Sequence, residues 1–159
     1  MSSFASSSAA AYAHTQRAPL GWLLFGIGGI SIVTIVAFWN DPIAVGASLT
    51  IGLTFALLGA SLQWLAVIDA GDRLKIRFGP LPLFSRNVRY SDIKTVETGR
   101  TTIFEGWGVH LSLRGGWVWN IWGRNCVVIR SRRGVLRLGT DDPSNLASFL
   151  RRRAGLRGD

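Results

Sequence analysis

Two long stretches without a charged residue constrain the fold of this chain more than any other feature. Residues 18–40 and residues 42–68 contain no Asp, Glu, Lys or Arg, and only Asp41 separates them. About 20 apolar residues suffice for a helix to cross a bilayer, and lipid offers the backbone no hydrogen-bond partners, so helices are expected. We predict two transmembrane helices, over about residues 20–39 and 43–68.

The sequence gives less support to two alternatives, a hairpin buried in a soluble protein and a cleaved signal peptide, than to two retained transmembrane helices. A helical hairpin buried inside a soluble protein would need more covering chain than the roughly 90 residues that follow it. A cleaved signal peptide would need a basic region, a shorter apolar run and a small-residue cleavage site, but only Arg17 precedes the first run and no such site follows it.

The basic residues predict the orientation of the hairpin. Of 18 Lys and Arg residues, 17 follow residue 69, Arg17 lies just before the first helix, and the turn between the helices has none. Because basic segments favour the cytoplasmic side, we expect both termini in the cytoplasm and the turn outside. Trp22 and Trp64 would then lie at the inner interface and Trp39 at the outer one, where aromatic rings are favoured.

Small residues recur at every fourth position of the second predicted helix and so lie on one face, where they allow close approach of a neighbouring helix. The stripe predicts packing against the first helix or, alternatively, the seam of a homodimer or of a partner membrane protein. Its members are Ala44, Ser48, Gly52, Ala56 and Ala60.

The rest of the chain divides into a tail and a charged domain. Residues 1–17 are rich in Ser and Ala, so a disordered tail is expected.

Residues 69–159 alternate apolar and polar residues, as is typical of strands, in seven segments: "RLKIRFG", "SRNVRY", "DIKTVETG", "WGVHLSL", "WVWNIW", "CVVIRS" and "VLRLGT". Such strands with close turns predict an antiparallel sheet or sandwich. A helix over about residues 142–154 follows, with Asp142 as its N-cap and Pro143 at its first position.

This order resembles bacterial membrane proteins that carry a pleckstrin-homology-like (PH-like) domain. The resemblance lies in "YSDIKTVE", "EGWGVHLSLRGGWVWN" and "LRLGTDDPSNLASFL". It implies an α+β membrane protein in which a seven-stranded PH-like antiparallel sandwich or barrel, capped by the C-terminal helix, follows the hairpin. The implied function is a binding or scaffold module without catalysis, at the cytoplasmic face of a bacterial inner (plasma) membrane. Phosphoinositide-binding PH domains use basic residues on their first two strands; Lys75 and Arg86 are comparable, and Arg89 departs from the pattern.

Charge also points to a ligand. Residues from 69 onward hold 17 basic and 8 acidic side chains and so carry the whole net charge of +9. Anionic inner-leaflet lipids attract such clusters, and we expect contact through Arg73, Lys75, Arg77, Arg86 and Arg89. Alternatives are a solvated surface that only sets topology, contact with a partner protein, or a small accessory subunit of a membrane transport or envelope complex. Nucleic-acid binding is not expected, because positive charge is the only feature that favours it and the sequence has no recognition motif.

Catalysis, cofactors and metals are not expected from this sequence. Cys126 is the only cysteine, and the two histidines stand in unrelated segments. No nucleophile motif or phosphate-binding loop is present. A polar pocket formed by His110, Glu97 and Glu105 would be the one arrangement to favour an enzyme.

Four tryptophans lie within residues 105–125, and alternation predicts their environments. Trp107 should lie in the core, and Trp117 and Trp119 should pack on one face with Ile121. Trp122 falls on the opposite face, where it is the candidate for contact with a membrane surface or a partner.

Overall fold

The computed structural model describes residues 11–102 and 106–156. Two long helices, α1 (Leu20–Ala37) and α2 (Pro42–Ser61), stand near the start, and helix α3 (Pro143–Arg153) closes the chain. The strands of this part of the chain are β1 (Ala13–Arg17), β2 (Trp64–Asp69), β3 (Arg73–Gly79), β4 (Ser85–Arg89), β5 (Ile93–Arg100), β6 (Gly108–Leu111), β7 (Trp117–Asn120), β8 (Asn125–Ser131) and β9 (Gly134–Gly139). The class is α+β.

Helices α1 and α2 form a hairpin whose turn is organised by its one charged residue. The Asp41 carboxylate accepts hydrogen bonds from the backbone N–H groups of Ile43 (2.9 Å) and Ala44 (3.2 Å), which satisfies two donors at the start of α2. Both helices are long and apolar enough to cross a membrane, with mean hydropathy of 2.1 and 1.9. Four hydroxyl groups within them donate to the carbonyl four residues earlier: Thr34, Thr50, Thr54 and Ser61.

The apolar side chains of the hairpin are largely exposed. Val36 is 74% exposed and Ile43 is 83% exposed, and only 22% of the α1 span and 11% of the α2 span are buried. The alternative of a hairpin enclosed by a soluble domain therefore fails for the described part of the chain, because the sheets do not cover it.

The helices approach each other through small residues. A β-carbon added at Gly52 would lie 3.1 Å from the Ser31 β-carbon, and one added at Gly59 would lie 2.9 Å from the Gly21 carbonyl oxygen. Within the predicted stripe, Ser48 is buried, Ala44, Gly52 and Ala60 are half-buried, and Ala56 is exposed. Contact with α1 thus accounts for the middle of the stripe, and Gly59 provides the close approach at the hairpin base.

The strands form two sheets. The first has the order β1-β2-β3-β4 and is antiparallel throughout; the second has the order β5-β8-β9-β7-β6. All seven predicted strands are confirmed as β3 to β9. The expectation of a wholly antiparallel sheet is wrong at one place, because hairpins β6–β7 and β8–β9 lie side by side and pair β7 with β9 in parallel. Within the described residues the two sheets do not join into a closed barrel.

Strand β1 corrects the prediction of a disordered tail over residues 1–17. Its sequence has few apolar residues, but it pairs with β2 along its whole length. The preceding Tyr12 stacks on Phe149 of α3 with ring centroids 5.2 Å apart, and its hydroxyl donates to Asp142 at 3.4 Å. Residues 13–17 are therefore ordered by tertiary pairing, which the local composition does not reveal. Residues 1–10 lie outside the described residues.

Strand β2 corrects the predicted second helix, which ends at Ser61 rather than at residue 68. Residues 64–69 are uncharged until Asp69, and Leu65, Ala66 and Val67 are buried in the first sheet. A short apolar run inside a core has the same composition as the end of a membrane helix. The domain consequently begins at Trp64, with β1 added from before the hairpin, rather than at residue 69.

The core lies between the sheets and α3. Alternation in β3 is confirmed, because Leu74, Ile76 and Phe78 are fully buried. The predicted stripe of α3 is also buried, at Leu146, Phe149 and Leu150. The helix starts at Pro143 as expected, but the Asp142 side chain makes no capping bond to the α3 backbone and instead accepts from Asn145 (2.8 Å).

A buried carboxylate ties the end of β2 to α3. Asp69 is only 2% exposed at its side chain and accepts hydrogen bonds from the Tyr90 hydroxyl (2.8 Å), the Gly71 backbone N–H (2.9 Å) and the Arg153 guanidinium. Burial alone would raise the pKa of Asp69, but the three donors outweigh burial and lower it. The charged form is thus stabilised in the folded protein.

We expect Asp69→Asn to lower the free energy of unfolding by about 2–3 kcal/mol at neutral pH, because it leaves Arg153 without its carboxylate. Since the folded pKa is lowered, the stabilisation is present above the unfolded pKa of about 3.9 and is lost as the pH falls through the folded value. The difference between the two proteins should therefore shrink in acid, as measured by chemical unfolding in detergent between pH 7 and pH 3. Asp72→Asn is the matched control, because its exposed pair with Arg73 contributes little. An equal loss in both variants would contradict the prediction.

Candidate functional site: the base of the hairpin

The hairpin joins the first sheet through very short connections. Two residues separate β1 from α1, and two separate α2 from β2. Arg17 pairs with Trp64 in the sheet, and the Ala18 backbone N–H donates to the Gln63 carbonyl at 3.3 Å. The segments before and after the hairpin therefore lie at the same end of it, and the first sheet is held against that end.

Strand direction then decides which residues lie near the helices. Strand β2 runs away from α2, and β3 returns, with Gly79 opposite Trp64 and Leu74 opposite Asp69. Arg77 is consequently near the hairpin base, and Arg73 lies about 13 Å further away at about 3.3 Å per residue. Arg77 is therefore nearer to the helices than Arg73 although it is further from α2 in the sequence, because β3 runs back toward the helices.

Most of the predicted basic residues share the outer face of the first sheet. The alternating side chains of β3 on the inner face are buried, so Arg73, Lys75 and Arg77 point outward, as does Arg89, opposite Arg73 in the register. Arg17 occupies the same face of β1. We call this set the basic outer face: Arg17, Arg73, Lys75, Arg77 and Arg89. Arg73 forms an ion pair with Asp72 at 2.8 Å.

Trp64 anchors the end of this face that lies nearest the helices. Its ring covers Gly79, where an added β-carbon would lie only 2.1 Å from the ring. The Arg77 guanidinium lies 5.2 Å from the ring centroid, which is within the range of a cation–π contact. Trp64 thus orients Arg77 at the base of the hairpin.

Arg86 does not belong to the basic outer face. It is opposite Ile76 in the register, which places it on the inner side of edge strand β4. Burial lowers its pKa, and the neighbouring charge of Arg133 lowers it further. Lys75 and Arg86 therefore lie on opposite sides of the sheet, and the basic residues compared with those of phosphoinositide-binding PH domains do not converge on one site.

Trp107 corrects the predicted division of the tryptophans. It is 44% exposed and stacks on Trp122, itself 38% exposed, with centroids 4.2 Å apart and planes 21° from parallel. The expectation of a core position fails because β6 starts only at Gly108, whose φ of 101° breaks the alternation after Trp107. Trp119 is buried as expected, whereas Trp117 is 40% exposed.

Asn120 positions the Trp107–Trp122 pair. Its fully buried amide nitrogen donates to the Gly123 carbonyl (3.0 Å) and the Gly106 carbonyl (3.4 Å), which are the neighbours of the two tryptophans. The Gln16 amide donates to the Trp122 carbonyl at 3.2 Å. Since Gln16 is one residue from the base end of β1, the pair lies near the hairpin base. Trp107 and Trp122 are far apart in the sequence, and no local pattern predicted that they would stack.

The polar residues that would favour an enzyme are not brought together. His110 lies on β6 and Glu97 on β5, the two opposite edges of the five-stranded sheet. Four strand spacings separate them, or about 19 Å. Glu105 is outside the described residues. Among the residues described, no group of three or more His, Cys, Asp and Glu side chains could hold a metal ion.

The sequence matches no protein-family model and no curated protein. The geometry therefore carries the functional argument. The protein consists of an apolar helical hairpin whose two ends continue directly into neighbouring strands of a sheet with a basic outer face.

We expect Trp107→Ala and Trp122→Ala to be coupled. In a double-mutant cycle followed by chemical unfolding, the loss of the stack should appear as an interaction energy of about 0.5–1.5 kcal/mol. Trp117 has similar exposure and no stacking partner among the described aromatic rings, so Trp117→Ala combined with Trp122→Ala is the control and should be additive. Additivity of Trp107→Ala with Trp122→Ala would contradict the assigned contact.

Proposed function

We propose that this protein is a membrane-anchored binding or scaffold module that performs no reaction. In this proposal the α1–α2 hairpin spans a bacterial inner membrane, the sheets lie on the cytoplasmic side, and the basic outer face contacts anionic lipid headgroups. The observation that carries the proposal is the pairing of β1 with β2 across the hairpin base, which fixes basic residues next to the ends of two apolar helices.

The exposed surface of the hairpin supports a membrane location. A large, contiguous apolar surface is unfavourable in water, and the described part of the chain leaves most of both helices uncovered. Four helix hydroxyls donate to backbone carbonyls and Asp41 caps the turn; both features are compatible with lipid, which supplies no hydrogen bonds. Basic residues confined to the sheet end favour the cytoplasmic side for that end.

The strength of headgroup contact should be graded along the basic outer face. Attraction to an anionic leaflet falls off within the Debye length of about 8 Å at physiological ionic strength. Arg77 is at the base end and has no ion pair among the described residues, whereas Arg73 is about 13 Å more distant and is paired with Asp72. Arg77 and Arg17 should therefore contribute most to lipid selectivity.

A PH-like module remains part of the proposal. Its support is the order of β-strands followed by one C-terminal helix, and the packing of α3 against β5 and β8. Such modules hold ligands or partners at a surface.

We expect Arg77→Glu to reduce selectivity for anionic lipid about fivefold or more, since each basic residue near the surface contributes about 1 kcal/mol. The measurement is the relative association of spin-labelled phosphatidylglycerol and phosphatidylcholine with the full chain in bilayers, by electron paramagnetic resonance. Arg73→Glu is the matched control and should have a small effect, because Arg73 is distant and already paired.

Two results would oppose this proposal. Equal loss in both variants would show that position along the basic outer face does not matter. Equal association of the two lipids with the unaltered protein would show that the protein has no selective contact with anionic headgroups. The full chain is required, because a fragment that starts after residue 69 lacks two of the four strands of the first sheet.

A further inference from the structure

The loop between β3 and β4 lies at the hairpin base and is bonded to it. The Leu81 backbone N–H donates to the Ala60 carbonyl in the last turn of α2 at 3.3 Å. Because β3 runs toward the helices and β4 runs away from them, residues 80–84 form the loop at the helix end of the sheet. Its sequence is Pro-Leu-Pro-Leu-Phe, and no charged residue occurs between Arg77 and Arg86.

The core holds this loop in place. Phe84 packs edge-on against buried Phe78, with ring centroids 6.2 Å apart, and its carbonyl accepts from the Phe78 backbone N–H at 3.0 Å. Two prolines restrict the backbone on either side of Leu81. The loop therefore presents its remaining side chains in a fixed direction.

Those remaining side chains are apolar and exposed. Leu81 is 36% exposed and Leu83 is 54% exposed. A single exposed leucine is ordinary on a protein surface. Two in a charge-free loop, hydrogen-bonded to the end of an apolar helix and close to Arg77 and Trp64, form the pattern of a segment at a membrane–water interface.

We propose that residues 80–84 are a third membrane contact, in which Leu81 and Leu83 enter the boundary between headgroups and acyl chains. This inference rests on the proposed membrane location. With the hairpin as the only membrane contact, the tilt of the sheet relative to the bilayer surface would not be fixed. A contact at the β3–β4 edge, on the other side of β3 from that base, fixes the tilt and holds Arg77 at the level of the headgroups.

Site-directed fluorescence in vesicles tests this contact on the full chain. Leu83→Cys is labelled with an environment-sensitive dye and reconstituted in phosphatidylglycerol–phosphatidylcholine vesicles that contain lipids spin-labelled near the headgroup. Cys126 is the only native cysteine and is buried, so the introduced thiol is the accessible one. Two controls frame the result: Ile32→Cys in the middle of exposed α1, and Ala70→Cys in the exposed β2–β3 turn about 20 Å from the helices.

We expect the dye at Leu83 to emit at shorter wavelength than at Ala70 and to be quenched by the lipids several-fold more strongly. Quenching at Leu83 as weak as at Ala70, with strong quenching of the Ile32 dye by lipids labelled deep in the acyl chains, would overturn the loop contact and leave the membrane anchor intact. Protection of the Leu83 dye from aqueous iodide without lipid quenching would mean that protein covers the loop, and would also overturn it. Failure of lipid quenching at Ile32 would overturn the proposed membrane location itself.

Discussion

The pairing of β1 with β2 across the base of the helical hairpin is the constraint on which the rest of the structure depends. Connections of two residues at each helix end leave the chain no freedom to separate the hairpin from the sheet. This pairing sets the direction of all four strands in the first sheet and so decides which residues are near the helices. Arg77, Trp64 and the β3–β4 loop are at the base as a consequence, and the Asp69–Arg153 contact is at the other end.

The same constraint divides the chemistry of the molecule into layers. The two helices are apolar and uncharged, the base is aromatic and basic, and the far end of the first sheet holds its carboxylates in pairs. Asp69 is charged and satisfied there by Tyr90, Gly71 and Arg153, and Asp72 pairs with Arg73. Arg73 is thereby paired at the far end of β3, whereas Arg77 at the base has no ion pair among the described residues. Secondary structure alone would not have shown this difference between Arg73 and Arg77, because it arises from the position of Asp72.

Sequence patterns predicted the elements whose signal is local. Alternation located β3 to β9, and Pro143 with the following apolar spacing located α3. The failures occur where a distant partner decides the structure. The segment AHTQR becomes β1 only because β2 is beside it, and β2 itself has the composition of a membrane helix until its burial in a sheet is known. Arg86 lies on the inner side of the sheet, apart from the other predicted contact residues, because its register with Ile76 is set by the loop before it. Trp107 lies outside the core because β6 starts only at Gly108, whose positive φ breaks the alternation. The role of Asn120 was missed for the same reason, since its bonds reach Gly106, which lies beyond a hairpin turn.

The helical hairpin and the sheets are therefore one folding unit rather than two separable parts. Removal of the hairpin with the preceding segment would take β1 away and expose the edge of β2, whose Leu65 and Val67 are now buried. An unpaired apolar edge strand favours aggregation. Conversely, the hairpin depends on the sheet: its helix ends are held together by the Arg17–Trp64 pairing and by the bond from Leu81 to Ala60. A force that shifts the helices relative to each other would reach the basic outer face through these same strands.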